Sequence, residues 1–166
     1  MKHPRKLLPA HIQKHDRSCI AWGIELIMKM HNVIKPTEYP LQDGRTPCAY
    51  GFTHKEIAFL KKFSINAQEQ HLSWNDFTKF SYKEVSRGSY PIISLPLHRY
   101  VELSPVGIFT DYHAFVICDY RKQIVAYTML REPHTLHRVD RLEKLFQACA
   151  ILEPECEVHV LSHSEV

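Results

Sequence analysis

Residues 18–23 read Ser-Cys-Ile-Ala-Trp-Gly and open an apolar-periodic segment that predicts a buried helix over residues 19–30. Cys19 would be the first residue of that helix. The N-terminus of a helix carries partial positive charge, and a thiol placed there loses its proton more readily. The segment therefore predicts both a central helix of the fold and a reactive cysteine.

Two other residues supply the remaining parts of a cysteine nucleophile. His113 begins the apolar run at residues 113–118, which is typical of a buried strand. Its imidazole would take the thiol proton and return it to the leaving group. Gln13 stands six residues before Cys19, and its amide could join the Cys19 backbone N–H in stabilising an oxyanion. Each residue alone is more often structural, but the three together favour catalysis.

A family resemblance rests on three segments. Residues 13–27 resemble the active-site helix of papain-like cysteine peptidases, and more closely that of the peptidase domains that cut double-glycine leaders in bacteriocin-exporting ABC transporters. Residues 87–95, Arg-Gly-Ser-Tyr-Pro-Ile-Ile-Ser-Leu, are similar to the element before the family's histidine. Residues 113–128, with a tight turn at 121–123, resemble its histidine hairpin.

The resemblance covers roughly residues 9–160. It implies an α+β papain-like cysteine peptidase fold, with an N-terminal active-site helix packed on an antiparallel sheet. It also implies that Cys19 is the nucleophile, that His113 is its proton acceptor and that Gln13 is the oxyanion donor.

The chain departs from the family at the group that orients the histidine. The family places an aspartate where this chain has Met129, and Thr128 beside it is not a carboxylate either. Glu132, Asp111 and Asp119 are weaker candidates for the role. An orienting group mainly fixes the histidine tautomer and stabilises the imidazolium, so its loss would weaken a peptidase without abolishing it.

The sequence leaves three functions open. The first is a cysteine peptidase that cleaves an amide bond in a peptide or protein substrate. The second is a protein deamidase or acyltransferase, which would use the same three residues. The third is a catalytically weak papain-like domain that binds a peptide or a partner protein, and the missing carboxylate motivates it.

Composition is that of one ordinary domain spanning residues 1–166, with 45% hydrophobic and 23% charged residues. The net charge of +3 is small and scattered, so we do not expect a nucleic-acid partner. No apolar window is long enough to predict a membrane span. The sequence does not fix the oligomeric state.

Cysteine usage and the N-terminus bear on location. Five cysteines are an odd number without paired spacing, which favours a reducing compartment over a disulfide framework. Residues 1–10 contain only two leucines before a proline, which is too few for the apolar region of a signal peptide. We therefore expect a cytoplasmic, free-standing protein, unless a signal-independent secretion system exports it.

The twelve histidines raise the question of a metal. Neither Cys-x-x-Cys nor His-Glu-x-x-His is present, so the sequence predicts no metal site, and no nucleotide-binding motif predicts a cofactor. Three histidine pairs have spacings that could share one ion: His11 with His15, His134 with His137, and His159 with His163.

The other patterns predict the rest of the α+β chain. A capping box of Thr53 and Glu56 predicts a second helix. Residues 73–80 and 82–87 predict two short helical turns closed by Gly88, and residues 140–149 predict a third helix. Strands are predicted over residues 66–71, 90–95, 100–103, 113–120, 124–130 and 157–161.

Overall fold

A computed structural model of the chain describes residues 14, 19–42, 54–96, 112–128, 135–152 and 155–164. Within these residues the structure is a mixed α+β arrangement of helices on one six-stranded antiparallel sheet. The predicted α+β class is therefore confirmed. No helix among the described residues is long and apolar enough to cross a membrane.

The sheet joins strands from both halves of the chain in the order β1-β6-β2-β3-β4-β5. Its strands are β1 (Ile65–Ser73), β2 (Tyr90–Pro96), β3 (Tyr112–Tyr120), β4 (Gln123–Thr128), β5 (Thr135–Arg138) and β6 (Glu155–His163). A two-residue turn connects β3 to β4, and both of its residues, Arg121 and Lys122, have positive φ angles of 49° and 64°. Such turns match the twist of the strands they join, so the predicted hairpin is present.

Helix α1 (Cys19–Met30) packs directly on the middle of this sheet. Every residue of α1 after Cys19 is buried, as expected for a helix that is apolar on nearly all sides. Gly23 sets the distance of approach, because a Cβ atom there would lie 3.1 Å from Val116 Cγ2 and 3.4 Å from Ile92 Cδ1. The lack of a side chain at Gly23 thus lets α1 sit close to β2 and β3.

Further helices complete the described fold. They are α2 (His54–Lys61), a short 3-10 helix (Trp74–Asp76), α3 (Phe77–Ser86), a second 3-10 helix (Val139–Leu142) and α4 (Glu143–Leu152). Helix α3 contacts β2, β3 and β4. The ring of Phe146 in α4 stacks on Trp74 and meets Phe77 edge-on, with ring centroids 5.7 and 4.9 Å apart. Consecutive residues 114–118 of β3 are all buried, so both faces of the central sheet are covered.

Most predicted elements are present, with local differences. The helix predicted over residues 19–30 is confirmed with the same bounds. A short 3-10 helix and one continuous helix, α3, replace the two predicted helical turns. The Ser81 hydroxyl, at the predicted break, is buried in α3 and donates to the Phe77 carbonyl at 2.7 Å. Gly88, with a φ of 75°, follows the end of α3. The helix predicted over 140–149 begins as the second 3-10 helix and continues as α4.

Two predicted elements lie outside the described residues, and one observed strand is not predicted by the sequence. The strand predicted over residues 100–103 and the helix start at Thr53 lie outside the described residues. Strand β5 is not predicted by the sequence patterns, because residues 135–138 form only a short run that follows Pro133 closely.

Candidate active site

Cys19 is the first residue of α1 and remains partly exposed. The other three cysteines among the described residues, Cys118, Cys149 and Cys156, are buried. Cys48 lies outside the described residues. Of the described thiols, Cys19 alone therefore combines solvent access with a position at the positive end of a helix.

Burial makes two of the other thiols, Cys118 and Cys156, harder to ionise than an ordinary cysteine. Burial raises the pKa of Cys156 to about 12 and that of Cys118 still further above the ordinary value for a thiol. Cys156 also donates a hydrogen bond from its thiol to the Leu72 carbonyl, at 3.4 Å. Because only the thiolate is a nucleophile, these two groups are inert at neutral pH.

His113 is the second residue of β3 and pairs with Leu95 of β2. Helix α1 contacts these same two strands. Gly23, one helical turn after Cys19, lies over Val116, which is three residues beyond His113 on β3. The backbones that carry the predicted nucleophile and the predicted histidine thus belong to elements in direct contact. The imidazole of His113 lies outside the described part of the molecule.

Gln13 lies outside the described residues, but its neighbour Lys14 is described. The Lys14 backbone N–H donates to the Gln42 side-chain Oε1 at 2.9 Å. The Lys14 ammonium stands 4.1 Å from the centre of the Tyr39 ring, within the range of a cation–π interaction. The chain next to the predicted oxyanion donor is thereby attached to the loop that follows α1.

A buried carboxylate on α1 holds this loop in place. Glu25 Oε1 accepts the backbone N–H groups of Leu41 and Gln42, at 2.7 and 2.9 Å, and Glu25 Oε2 accepts the Gln42 side-chain amide at 2.7 Å. Glu25 and Gln42 are almost completely buried. Burial raises the pKa of Glu25, and the hydrogen bonds from Gln42 and Leu41 counter that rise.

Lys29 follows Glu25 by one helical turn and is also fully buried. Its ammonium stands 3.8 Å from the centre of the Tyr39 ring. Burial lowers the pKa of Lys29 to about 8, although the Glu25 carboxylate opposes the shift. The Glu25 and Lys29 side chains together therefore connect α1 to residues 39–42, and through Gln42 to Lys14.

Two of the residues considered for orienting the His113 ring, Asp119 and Thr128, lie in the described part of the structure. Asp119 pairs with Ile124 at the far end of β3, six residues from His113. At about 3.3 Å per residue the two backbones are about 20 Å apart, so Asp119 cannot serve and that candidate is wrong. Thr128 is buried at the end of β4, and its hydroxyl donates to the Ala114 carbonyl at 2.8 Å. Met129, Glu132 and Asp111 lie outside the described residues.

Sequence reasoning missed Glu25, Lys29 and Gln42. A signal exists for the first two, because they are the only charged residues in the otherwise apolar segment 19–30. Charged side chains in a helix that is apolar all round must be paired or hydrogen-bonded. Gln42 has no comparable signal, since a loop amide looks the same whether it is exposed or buried.

Comparisons with known proteins add no assignment. No protein-family model matches the chain, and no curated protein matches it.

Proposed function

We propose that the chain is a thiol hydrolase of papain-like fold that attacks an amide carbonyl through Cys19. The observation that carries the proposal is the position of this thiol, which is partly exposed at the first residue of α1, whereas the other described cysteines are buried. The helix dipole favours the thiolate at that position. The packing of α1 on an antiparallel sheet is the arrangement expected from the papain-like resemblance.

In the proposed reaction the Cys19 sulfur adds to the carbonyl carbon after its proton passes to His113. The tetrahedral intermediate then collapses, the carbon–nitrogen bond breaks, and the amine leaves with the proton from His113. A thioester to Cys19 remains, and water attacks it to release the acid and the free thiol. Protons and electron pairs balance without a metal or a redox cofactor.

Gln13 would stabilise the oxyanion of this intermediate together with the Cys19 backbone N–H. An oxyanion donor must be held in place before the reaction, and the contacts of Lys14 support this role for its neighbour. Glu25 and Gln42 would act as positioning residues, since they join α1 to residue 14 through buried hydrogen bonds.

The substrate would be a peptide or a protein. Hydrolysis of a peptide bond is the first choice, and deamidation of a glutamine or acyl transfer to another amine uses the same nucleophile and base. In all three reactions the acyl group passes through a thioester on Cys19. They differ in whether the leaving group is a peptide amine or ammonia, and in whether water or an amine resolves the thioester.

A second candidate is a catalytically weak papain-like domain that binds a peptide or partner protein. Thr128, at the end of β4, carries no carboxylate, and its hydroxyl donates to the Ala114 carbonyl. This observation fits a histidine without the usual acidic partner. We place this candidate second because a thiol at a helix N-terminus is well suited to nucleophilic attack and peptide binding has no need of one.

Substrate profiling separates these candidates. A mixture of peptides and folded proteins from a cell lysate is incubated with the wild type, with Cys19→Ala and with Cys149→Ala, and the products are identified by mass spectrometry. Cys149→Ala is the matched control, because it removes a thiol that is buried in α4. We expect new peptide termini with the wild type and with Cys149→Ala, and none with Cys19→Ala.

The other products identify the alternatives. Glutamine converted to glutamate without a new terminus would assign a deamidase, and a new amide bond between two substrates would assign an acyltransferase. The same product pattern from the wild type and from Cys19→Ala would overturn the thiol mechanism. Enrichment of a peptide without any chemical change would favour the binding domain.

A further inference from the structure

The sequence contains the tripeptide pattern Glu-x-His twice on strands. Glu69-Gln70-His71 lies in β1, and Glu157-Val158-His159 lies in β6. Side chains two residues apart on a strand point to the same face of the sheet. Each strand therefore presents one carboxylate and one imidazole side by side.

The pairing of the two strands brings these patterns together. Strands β1 and β6 are antiparallel neighbours, with Glu69 opposite His159 and His71 opposite Glu157. Paired residues of an antiparallel ladder share a face. The four side chains thus form a square in which acids and imidazoles alternate, and we name it the Glu-His square.

The distances within the Glu-His square are short. His71 Nε2 lies 2.9 Å from Glu69 Oε1. His159 Nε2 lies 3.7 Å from Glu69 Oε2 and 3.6 Å from Glu157 Oε1. One ligand atom from each of Glu69, His71 and Glu157 can be chosen so that all lie within 4.8 Å of one another.

These separations are close to those of a metal site. Zinc binds imidazole nitrogen and carboxylate oxygen at about 2.0–2.2 Å, which sets neighbouring ligand atoms of a tetrahedron about 3.3–3.6 Å apart. His159 Nε2 already stands at nearly that distance from both carboxylates. An ion shared by all four groups would require the half-exposed side chains of Glu69, His71 and Glu157 to turn towards the His159 ring.

The four residues of the Glu-His square differ in how far their side chains are exposed to solvent. The side chain of His159 is 10% exposed, whereas those of Glu69, His71 and Glu157 are each about half exposed. The buried imidazole is thus held by its packing, while the three other ligands can adjust around an ion arriving from solvent. Cross-strand ion pairing is the simpler role for such residues, but it does not require His159 to lie midway between two carboxylates.

We propose that the Glu-His square binds one divalent transition-metal ion, with zinc the first candidate. Two imidazole nitrogens and two carboxylate oxygens form a donor set suited to zinc and its neighbours in the first transition row. The two carboxylates neutralise the charge of the ion. Because β1 is an edge strand of the described sheet, the ion would fasten that edge to β6.

The sequence predicts no metal site because the usual zinc motifs are absent, and it offers three histidine pairs as the places where an ion could still bind. The structure shows that histidine spacing along the chain is a poor guide here. His159 and His163 are four residues apart on one strand, which separates their backbones by about 13 Å. They cannot share one ion. His163 instead stacks against His31, with ring centroids 5.6 Å apart. The groups that would bind the ion together with His159 are Glu69 and His71 on the neighbouring strand and Glu157 on the same strand.

Titration of the full chain with zinc, after removal of metals by a chelator, tests the proposal. Calorimetry measures the affinity, and cobalt in place of zinc reports the ligand geometry through its visible absorption. The variants are Glu157→Gln and His71→Asn, both at exposed positions, where substitutions usually change stability by less than about 0.5 kcal/mol. Glu155→Gln is the matched control, since Glu155 is an exposed acid on the same strand but outside the square.

We expect one tight zinc ion per chain in the wild type and in Glu155→Gln. Each variant of the square should weaken binding by more than about tenfold, because even changes to groups outside the ligand set cost about 10–100-fold in affinity. Cobalt should give an intense tetrahedral spectrum that the same variants abolish.

Two results would overturn the proposal. One is the absence of tight binding in the wild type. The other is binding that survives Glu157→Gln and His71→Asn but is lost in Cys19→Ala or in His11→Asn/His15→Asn. The proposal is independent of the thiol chemistry, because zinc binding at the square should be unchanged in Cys19→Ala.

Discussion

The first turn of α1 and its later turns have opposite surroundings. The first turn carries a partly exposed thiol at Cys19. In the later turns, Glu25 and Lys29 are charged groups that are completely buried. The carboxylate of Glu25 accepts three hydrogen bonds from residues 41 and 42, and the ammonium of Lys29 covers the Tyr39 ring.

The difference indicates that the two ends of α1 have different roles. A buried charge is costly unless its hydrogen bonds are fully made. The hydrogen bonds of Glu25 and the contact of Lys29 with Tyr39 therefore hold the loop at residues 39–42 in one arrangement. Cys19, at the other end of the helix, keeps access to solvent. The buried end would therefore position the surroundings of the reactive end.

The largest expected effect is at the buried end. Glu25→Ala leaves three donors and the Lys29 ammonium without their carboxylate. Each buried donor left without its acceptor costs about 1–3 kcal/mol, so we expect the free energy of unfolding to fall by at least about 3 kcal/mol. Urea unfolding near neutral pH measures the loss.

The double variant Glu25→Ala/Lys29→Met is its control. It removes both charges, so it should be more stable than the sum of the two single losses implies. If the losses in the free energy of unfolding simply add, Glu25 and Lys29 act independently. The proposal that they jointly hold the loop at residues 39–42 would then fail.

A smaller effect is expected between the two ends, at Gly23. Replacing a helical glycine by alanine normally stabilises a helix by about 1 kcal/mol. Here the added Cβ would lie 3.1 Å from Val116 Cγ2, and Val116 is fully buried. Overpacking costs about 1–3 kcal/mol, so we expect Gly23→Ala to destabilise the protein by about 1 kcal/mol in urea unfolding. A gain in stability would show that α1 does not sit as close to β3 as described.

A change of stability with pH isolates Lys29. Its pKa in the folded protein is about 8, below the ordinary value of 10.5. Between these values the unfolded chain binds more protons than the folded chain, so the contribution of Lys29 to stability rises with pH. The free energy of unfolding of the wild type relative to Lys29→Met should therefore increase from about pH 8 towards 10.

Lys35→Met serves as the control for that measurement, because Lys35 is exposed on the loop after α1. Its difference from the wild type over the same pH range gives the background for an exposed lysine. If the Lys29→Met difference changes no more with pH than this background, the ammonium of Lys29 is not buried as the structure has it.

Sequence patterns predict the secondary structure around the site well. Helix α1 follows from its apolar period, and β3 and β4 follow from two apolar runs joined by a short turn. These signals are local, so they can be read without the fold. Strand β5 is missed because four residues give no period, and its pairing with β4 depends on the rest of the sheet.

Long-range contacts could not be predicted in the same way. The role of Gln42 depends on a partner seventeen residues earlier in the chain, Glu25, and on Lys14 beyond it. The Glu-His square depends on a strand register that joins residues 69–71 to residues 157–159. Asp119 is close to His113 in sequence but lies at the other end of the same strand. In each case the deciding fact is which segments are neighbours in space.

The most direct test of the proposed function is the pH dependence of Cys19 alkylation by iodoacetamide, followed residue by residue with mass spectrometry. An ordinary thiol, with a pKa of about 8.5, is almost entirely protonated at about pH 6. We predict that Cys19 in the wild type is labelled at that pH at least about tenfold faster than free cysteine in the same solution, which is a fully accessible ordinary thiol. His113→Ala should slow the labelling of Cys19 to about the rate of free cysteine, whereas His163→Ala, on the same sheet, should leave it fast. Equally slow labelling of Cys19 in the wild type and in His113→Ala would contradict the account.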